Sequence, residues 1–159
     1  MAEGILRRRA AELRLPINVS SAGLMQGGKP ATPDAVSVLA DRGMDISAHV
    51  SRRLDREMLN DADLVLVMTR DHLREAVLTE PAAFPKVFLL RELVRRLDEN
   101  PGASLKTLNQ GRTTSDYTGA NGADDDVPDP IGQSRKRYLV TADELDSLLT
   151  TLVKQLETL

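Results

Sequence analysis

Of the residues in this chain able to do chemistry, Asp129 has the most suggestive surroundings, within the run Asp-Val-Pro-Asp-Pro-Ile-Gly over Asp126 to Gly132. A carboxyl group can give up a proton and later take one back, and partial burial raises its pKa toward the range where both steps are useful. Alone, Asp-Pro is an ordinary turn signal. The usual companions of such an acid are scarce. The 159 residues contain no cysteine, so neither a thiolate nucleophile nor a thiolate metal ligand is present. The two histidines, His49 and His72, have no carboxylate at recognised ligand spacing, and no metal site is expected. On their own, Ser21 and His49 are polar residues near a strand end or a turn. Gly23 to Lys29 spells glycine, four residues, glycine, lysine. The next residue is Pro30, which has neither the hydroxyl that would hold magnesium nor an amide hydrogen for a phosphate, so a glycine-rich turn is the better reading. The run Asp124-Asp125-Asp126 lacks the glycine and closing glutamate of a calcium loop and reads as a solvated acidic loop.

The elements that must position these residues fit one domain over 1–159, a length that suits a single core. Hydrophobic residues make up 41% of the chain but aromatics only 3%, so the core must be built from Leu, Val, Ile, Ala and Met. A net charge of −3 argues against a general nucleic-acid binder. Arg7-Arg8-Arg9 reads as the wet face of a helix. No stretch reaches a membrane span and no signal peptide precedes the first helix, which, with the lack of cysteine, suggests a cytoplasmic protein without disulfides.

Along the chain, Ala2 to Leu13 is expected to be helical, with Leu6, Ala10 and Leu13 on one face and Pro16 closing the segment. Ile17 to Ala22 alternates like a short strand. Thr32 should cap a second helix with Pro33 at its first position, Ala35, Val36, Leu39 and Ala40 as its apolar positions, and Gly43 past its end. Leu64 to Met68 and Lys86 to Leu90 are short apolar runs of the kind buried on both faces of a parallel sheet. Helices are expected over about 71–78 and 91–97. Strands alternating with helices imply an α/β, doubly wound sheet. Residues 100–125 turn polar, with Leu105 and Leu108 as clear anchors, and read as a surface insertion free to move. In the last helix, Thr141 and Glu144 suggest a capping box, and Leu145, Leu148, Leu149, Leu152, Leu156 and Leu159 line one face. That helix could begin earlier, near Ser134, with Tyr138 joining the stripe. No internal repeat is seen.

Taken in order, Ser21 to Leu24, Arg42 to Leu54, Ala62 to Met68 and Asp126 to Gly132 resemble the low-molecular-weight protein tyrosine phosphatases. The resemblance covers nearly the whole chain apart from the polar insertion, which is longer than in compact members. It implies a three-layer, doubly wound parallel sheet and a reaction without cofactor or metal, on a phosphorylated protein or a small aryl phosphate. By the same resemblance, Asp129 is the general acid that protonates the leaving oxygen and then activates the water that cleaves a cysteinyl phosphate. Ser21 and His49 fall where members hold the phosphate loop in shape. The family's loop, Cys, five residues, Arg-Ser-Pro, is commonly followed by Met-Ala-Glu, and this chain opens Met1-Ala2-Glu3.

The expectation is therefore an N-terminally shortened member, lacking the first, central strand and the loop that carries nucleophile and arginine, with Met1 an internal methionine of a longer frame. A chain so shortened should be of marginal stability and should not hydrolyse phosphotyrosine. Other readings are a catalytically dead binding or regulatory module of the same fold and, disfavoured by the lack of cysteine, an arsenate reductase. Neither nucleic acid nor membrane is expected as a partner, and the oligomeric state stays open.

Overall fold

The structure is a computed structural model that describes residues 1–117 and 125–156, apart from the side chain of Asp116. Leu159 and part of the polar insertion, including Asp124, lie outside the described residues. In chain order the elements are α1 (Ala2–Glu12), α2 (Pro33–Ala40), α3 (Arg56–Asp61), β1 (Val65–Val67), α4 (Arg70–Thr79), β2 (Val87–Leu89), α5 (Leu90–Glu99), α6 (Leu105–Leu108) and α7 (Arg135–Leu156), with short 3-10 turns at Pro81–Lys86 and Thr114–Tyr117. The chain divides into two compact units, Met1–Arg53 with Asp129–Thr158, and Leu54–Pro128. Among the described residues no helix is long and apolar enough to cross a membrane.

The first unit packs α1 and α2 against α7. Thr32 caps α2, its hydroxyl accepting the Ala35 N–H at 3.4 Å with Pro33 at the first position. The other end closes as the sequence suggests: Gly43 turns left-handed (φ 72°) while its N–H and that of Met44 reach back to the carbonyls of Ala40 and Leu39, both at 2.9 Å. The buried stripe is Ala35, Val38 and Leu39. Val36 is half-buried and Ala40 exposed, so the expected face is corrected by a small rotation. In α1 the buried residues are Ile5 and Ala10, not Leu6 and Leu13. The arginine run is not uniformly wet. Arg9 turns toward α7 and grips Asp146 with two hydrogen bonds of 2.8 and 2.6 Å.

Helix α7 begins at Arg135, so Thr141 lies inside it and is buried, and no capping box forms there. The residues from Arg135 onward contain no breaker, and Tyr138 is buried with its hydroxyl 3.1 Å from that of Thr32, which rewards the extra turns. Leu145, Leu149, Leu152 and Val153 are buried, while Leu148 and Leu156 are half-buried. Residues 17–22 do not form the expected strand. A strand exists through its ladder, and among the described residues these make none, the nearest pairing being an isolated bridge from the following Gly23 to Arg53, while Ile17 is exposed. Leu149→Ala, which empties a site only 1% exposed, is expected to cost about 2 to 5 kcal/mol, read as a lowered urea midpoint with unchanged slope.

In the second unit, β1 and β2 pair in parallel with Val65 opposite Val87, Leu66 opposite Phe88 and Val67 opposite Leu89. Helix α4 lies between the strands in sequence, giving the expected βαβ order. All of β2 is buried. In β1 only Val67 is buried, so the reading of that run as covered on both faces is corrected: among the described residues it has a neighbouring strand on one side only. Thr69 caps α4, accepting the His72 N–H at 3.3 Å while its hydroxyl meets His72 Nδ1 at 2.8 Å, which engages that histidine in the cap.

The polar insertion is corrected most. Leu108 is buried, but the stronger anchor is Arg112, 7% exposed, whose guanidinium lies 3.8 Å from the centroid of Phe88, with Phe84 and Tyr117 at 5.0 and 5.4 Å. Arg112 donates to the Val87 carbonyl at 2.7 Å and to the Tyr117 hydroxyl at 2.7 Å, and that hydroxyl donates to Glu92 at 2.6 Å. Burial, then the hydrogen bond to Glu92, pushes the Tyr117 phenol up to about 12, with Arg112 pulling the other way. A phenol raised above its unfolded value of about 10 contributes stability that is complete below that pH and is lost as pH rises through the folded value. Stability should therefore fall between about pH 10 and pH 12, and Tyr117→Phe should flatten that fall. In a Tyr138→Phe protein, phenolate absorbance from the remaining tyrosine should rise only near unfolding.

Candidate active site

The residues around the start of α1 converge on one carboxylate. Glu3 sits in the first turn of the helix, its side chain 14% exposed, and accepts a hydrogen bond from the Ser21 hydroxyl. His49 Nδ1 lies 3.7 Å from the same Glu3 oxygen, and Arg7 contacts the other oxygen at 2.7 Å. Arg7 also donates to the Val19 carbonyl at 3.1 and 2.7 Å, and Arg52 donates to the Ser21 carbonyl at 3.2 Å. The segment of Val19 to Ser21, irregular in backbone, is thus held by side chains where a sheet ladder would otherwise hold it. The structure brings Ser21 and His49 together on Glu3, a residue that sequence reasoning left out. Glu3 was visible as the end of Met-Ala-Glu, but nothing in its spacing showed that Ser21 and His49 would meet on it.

These residues border a cavity of about 620 Å³ whose lining includes Met1, Glu3, Ser20, Ser21, His49 and Arg52. Gly4, also in the lining, packs closely against neighbouring side chains. A Cβ at Gly4 would lie 2.8 Å from Ile46 Cγ2 and 3.6 Å from Leu39 Cδ1. Met1 precedes the helix and no side chain caps it, so the first amides of α1 keep their capacity for an anion. Loss of hydration lowers the pKa of the Met1 α-amino group, while the charges of Glu3 and Asp129 pull it back up.

Asp129 is thereby placed within electrostatic reach of the start of α1, although it is not part of the cavity lining. The residue is exposed, and its carboxylate accepts the Ile131 N–H at 2.9 Å, a local turn that orients the side chain without help from neighbours. The chain ahead of it is pinned. Asp125 takes two hydrogen bonds from Arg95 at 2.5 and 3.0 Å, Asp126 accepts the Arg70 N–H at 2.8 Å, and the Val127 N–H reaches the Met68 carbonyl at 2.7 Å. The expected solvated acidic run is therefore corrected at Asp125, which is 9% exposed. Among the described residues no group of three or more His, Cys, Asp or Glu is placed to hold a metal ion.

A family model for the low molecular weight phosphotyrosine protein phosphatases matches residues 1–104. The chain belongs to that family. Among its phosphatase relatives, a protein-arginine-phosphatase of Bacillus subtilis is 36% identical over 99% of this chain and 87% of its own length. A probable low molecular weight protein-tyrosine-phosphatase of Ralstonia solanacearum is 40% identical over 58% of this chain and 62% of its own length. The crystal structure of the low molecular weight protein tyrosine phosphatase from T. tengcongensis superposes with a TM-score of 0.74 at 33% identity, covering 96% of this chain and 87% of that one. The resemblance read from the ordered motifs and the α/β phosphatase fold are both borne out.

With Glu3 removed, the Ser21 hydroxyl and the Arg7 guanidinium lose a charged acceptor in a half-buried setting. Glu3→Ala should destabilise the protein by about 1 to 3 kcal/mol, with most of the loss from Ser21, since the exposed Arg7 pair contributes little. Chemical denaturation measures the loss, and the ring resonances of His49 should shift in the same variant.

Proposed function

We propose that this chain carries the acid–base and loop-supporting half of a protein phosphatase site, with 1–159 forming one phosphatase-like domain. Asp129 is the general acid: it protonates the leaving group as the phosphorus bond breaks, then as a carboxylate takes a proton from the water that cleaves the phosphoenzyme. Its support is the oriented turn at Ile131 and its electrostatic reach to the start of α1. Ser21 and His49, held by Glu3, are positioning residues for a phosphate loop. These 159 residues contain no cysteine and so do not themselves supply the attacking thiolate of such a loop. As it stands, the chain does not turn over phosphate monoesters.

The proposal admits two substrate classes, supported by a protein-tyrosine-phosphatase and a protein-arginine-phosphatase among the relatives. Phosphotyrosine, or a small aryl phosphate, loses a phenolate oxygen. Phosphoarginine loses a guanidine nitrogen, and this second reading is favoured because the protein-arginine-phosphatase relative matches over 99% of the chain, against 58% for the tyrosine-phosphatase relative. The same carboxylic acid serves either leaving group.

The test compares the 159-residue chain with a version extended at its N-terminus by an apolar strand and a Cys, five-residue, Arg loop. The extended protein should hydrolyse para-nitrophenyl phosphate, and phosphoarginine or phosphotyrosine peptides assign the preference, while the unextended chain stays at background. In the extended protein Asp129→Asn should lower kcat by about 10²- to 10⁴-fold with a smaller change in KM. An extended protein that is folded but silent on every substrate would favour the binding-module reading instead.

A further inference from the structure

Two loops of the first unit are stapled into one platform. The Gly23 N–H donates to the Arg52 carbonyl at 2.9 Å, the Gly28 N–H to the Ser51 carbonyl at 2.8 Å, and the Ser51 N–H to the Lys29 carbonyl at 2.8 Å. The Lys29 N–H adds a bond to Ser51 Oγ at 3.1 Å, and Pro30 bridges Val50. The approach is close: a Cβ on Gly27 would lie 2.8 Å from the Ser51 carbonyl oxygen and 3.1 Å from the Arg52 Cα. Gly28 holds φ 88°, a conformation that side chains other than glycine's rarely allow. The platform is thus fixed in its backbone, which lowers the ordering cost of binding anything to it.

The platform presents apolar and cationic side chains together. Met25 is 79% exposed and Val50 57%. Lys29, Arg52 and Arg53 are also exposed, and none of the three has an ion pair among the described residues. Residues 21–30 and 50–53 contain no acid, although the whole chain carries a net charge of −3. Single exposed apolar residues and single cations are commonplace. Here both kinds stand on one rigid platform whose charge is opposite to that of the chain.

We propose that this platform docks an acidic, apolar-punctuated polypeptide segment of a partner protein. Carboxylates of the segment meet Lys29, Arg52 and Arg53, and an apolar side chain covers Met25 and Val50. Ser21, Val50 and Arg52 also line the cavity at α1, so a segment bound here would run alongside the candidate site. The docking stands apart from the phosphatase reading, because it requires binding and no turnover.

The test uses the 159-residue chain and fluorescence anisotropy with two fluorescein-labelled peptides built on the same short repeat, one Glu-Leu-Glu-Gly, the other Lys-Leu-Lys-Gly. The acidic peptide should bind at low salt and weaken as salt rises. K29E combined with R53E should lower its affinity roughly tenfold or more, the neutral pair K29A and R53A by less, and Met25→Ala severalfold without change in salt dependence. Equal binding of the two peptides, or undiminished binding by the charge-reversed variant, overturns the proposal. It is also overturned if sedimentation velocity shows the platform occupied by a second copy of this chain, as dimers that K29E with R53E dissolves. Failure of the extended enzyme to turn over phosphate would leave the peptide result intact.

Discussion

The carboxylate of Glu3 is the constraint on which the candidate site depends. A charged acceptor in the first turn of a helix is favoured by the dipole of that helix, and here it gathers groups from three places in the sequence: Ser21, His49 and Arg7. Because Val19 to Ser21 has no strand neighbour among the described residues, these side-chain contacts fix the segment where a ladder would otherwise do so. The site is in this sense assembled from helix α1 outward, with the cavity following from the anchoring of the segment.

The second unit solves a similar problem by burying a cation. Arg112 is enclosed by Phe84, Phe88 and Tyr117, and its hydrogen bonds go to Val87, Asn109 and Tyr117. Glu92, 2% exposed, compensates the charge, with one oxygen shared by Tyr117 and Arg96 and the other without a hydrogen-bond partner among the described residues. An uncompensated polar atom in such a place is costly. It is tolerated here because two guanidinium groups, Arg96 at 2.8 Å and Arg112 at 3.3 Å, stand against the same carboxylate. The few aromatic rings of this chain are concentrated where a cation needs them.

The longer helices were legible in the sequence because their signals are local, while the short α3 and α6 were not read from it. Thr32-Pro33 and Gly43 mark the ends of α2 through bonds within one or two turns, and the leucines of α7 mark a face by spacing alone. What was missed depends on distant partners. Ile17 to Ala22 has the alternation of a strand but no ladder among the described residues, Thr141 has the chemistry of a cap but sits inside a helix, and Arg112, in a stretch read as polar surface with Leu105 and Leu108 as its anchors, is buried over Phe88. The same holds at the candidate site. Asp129 was singled out only through the resemblance of the run Asp126 to Gly132 to the family, whereas Glu3 became visible only when Ser21 and His49 were found on it.

Gly4 carries a lesson for anyone seeking a sturdier version of this protein. Exchanging an internal helical glycine for alanine is ordinarily a safe gain of about 1 kcal/mol, since it restricts the unfolded chain. At this position the added methyl would meet the branched tip of Ile46 at 2.8 Å, and the usual remedy would push apart the surfaces it was meant to secure. Rigidity here comes from an empty place on the helix, and stabilising substitutions belong on its outer face.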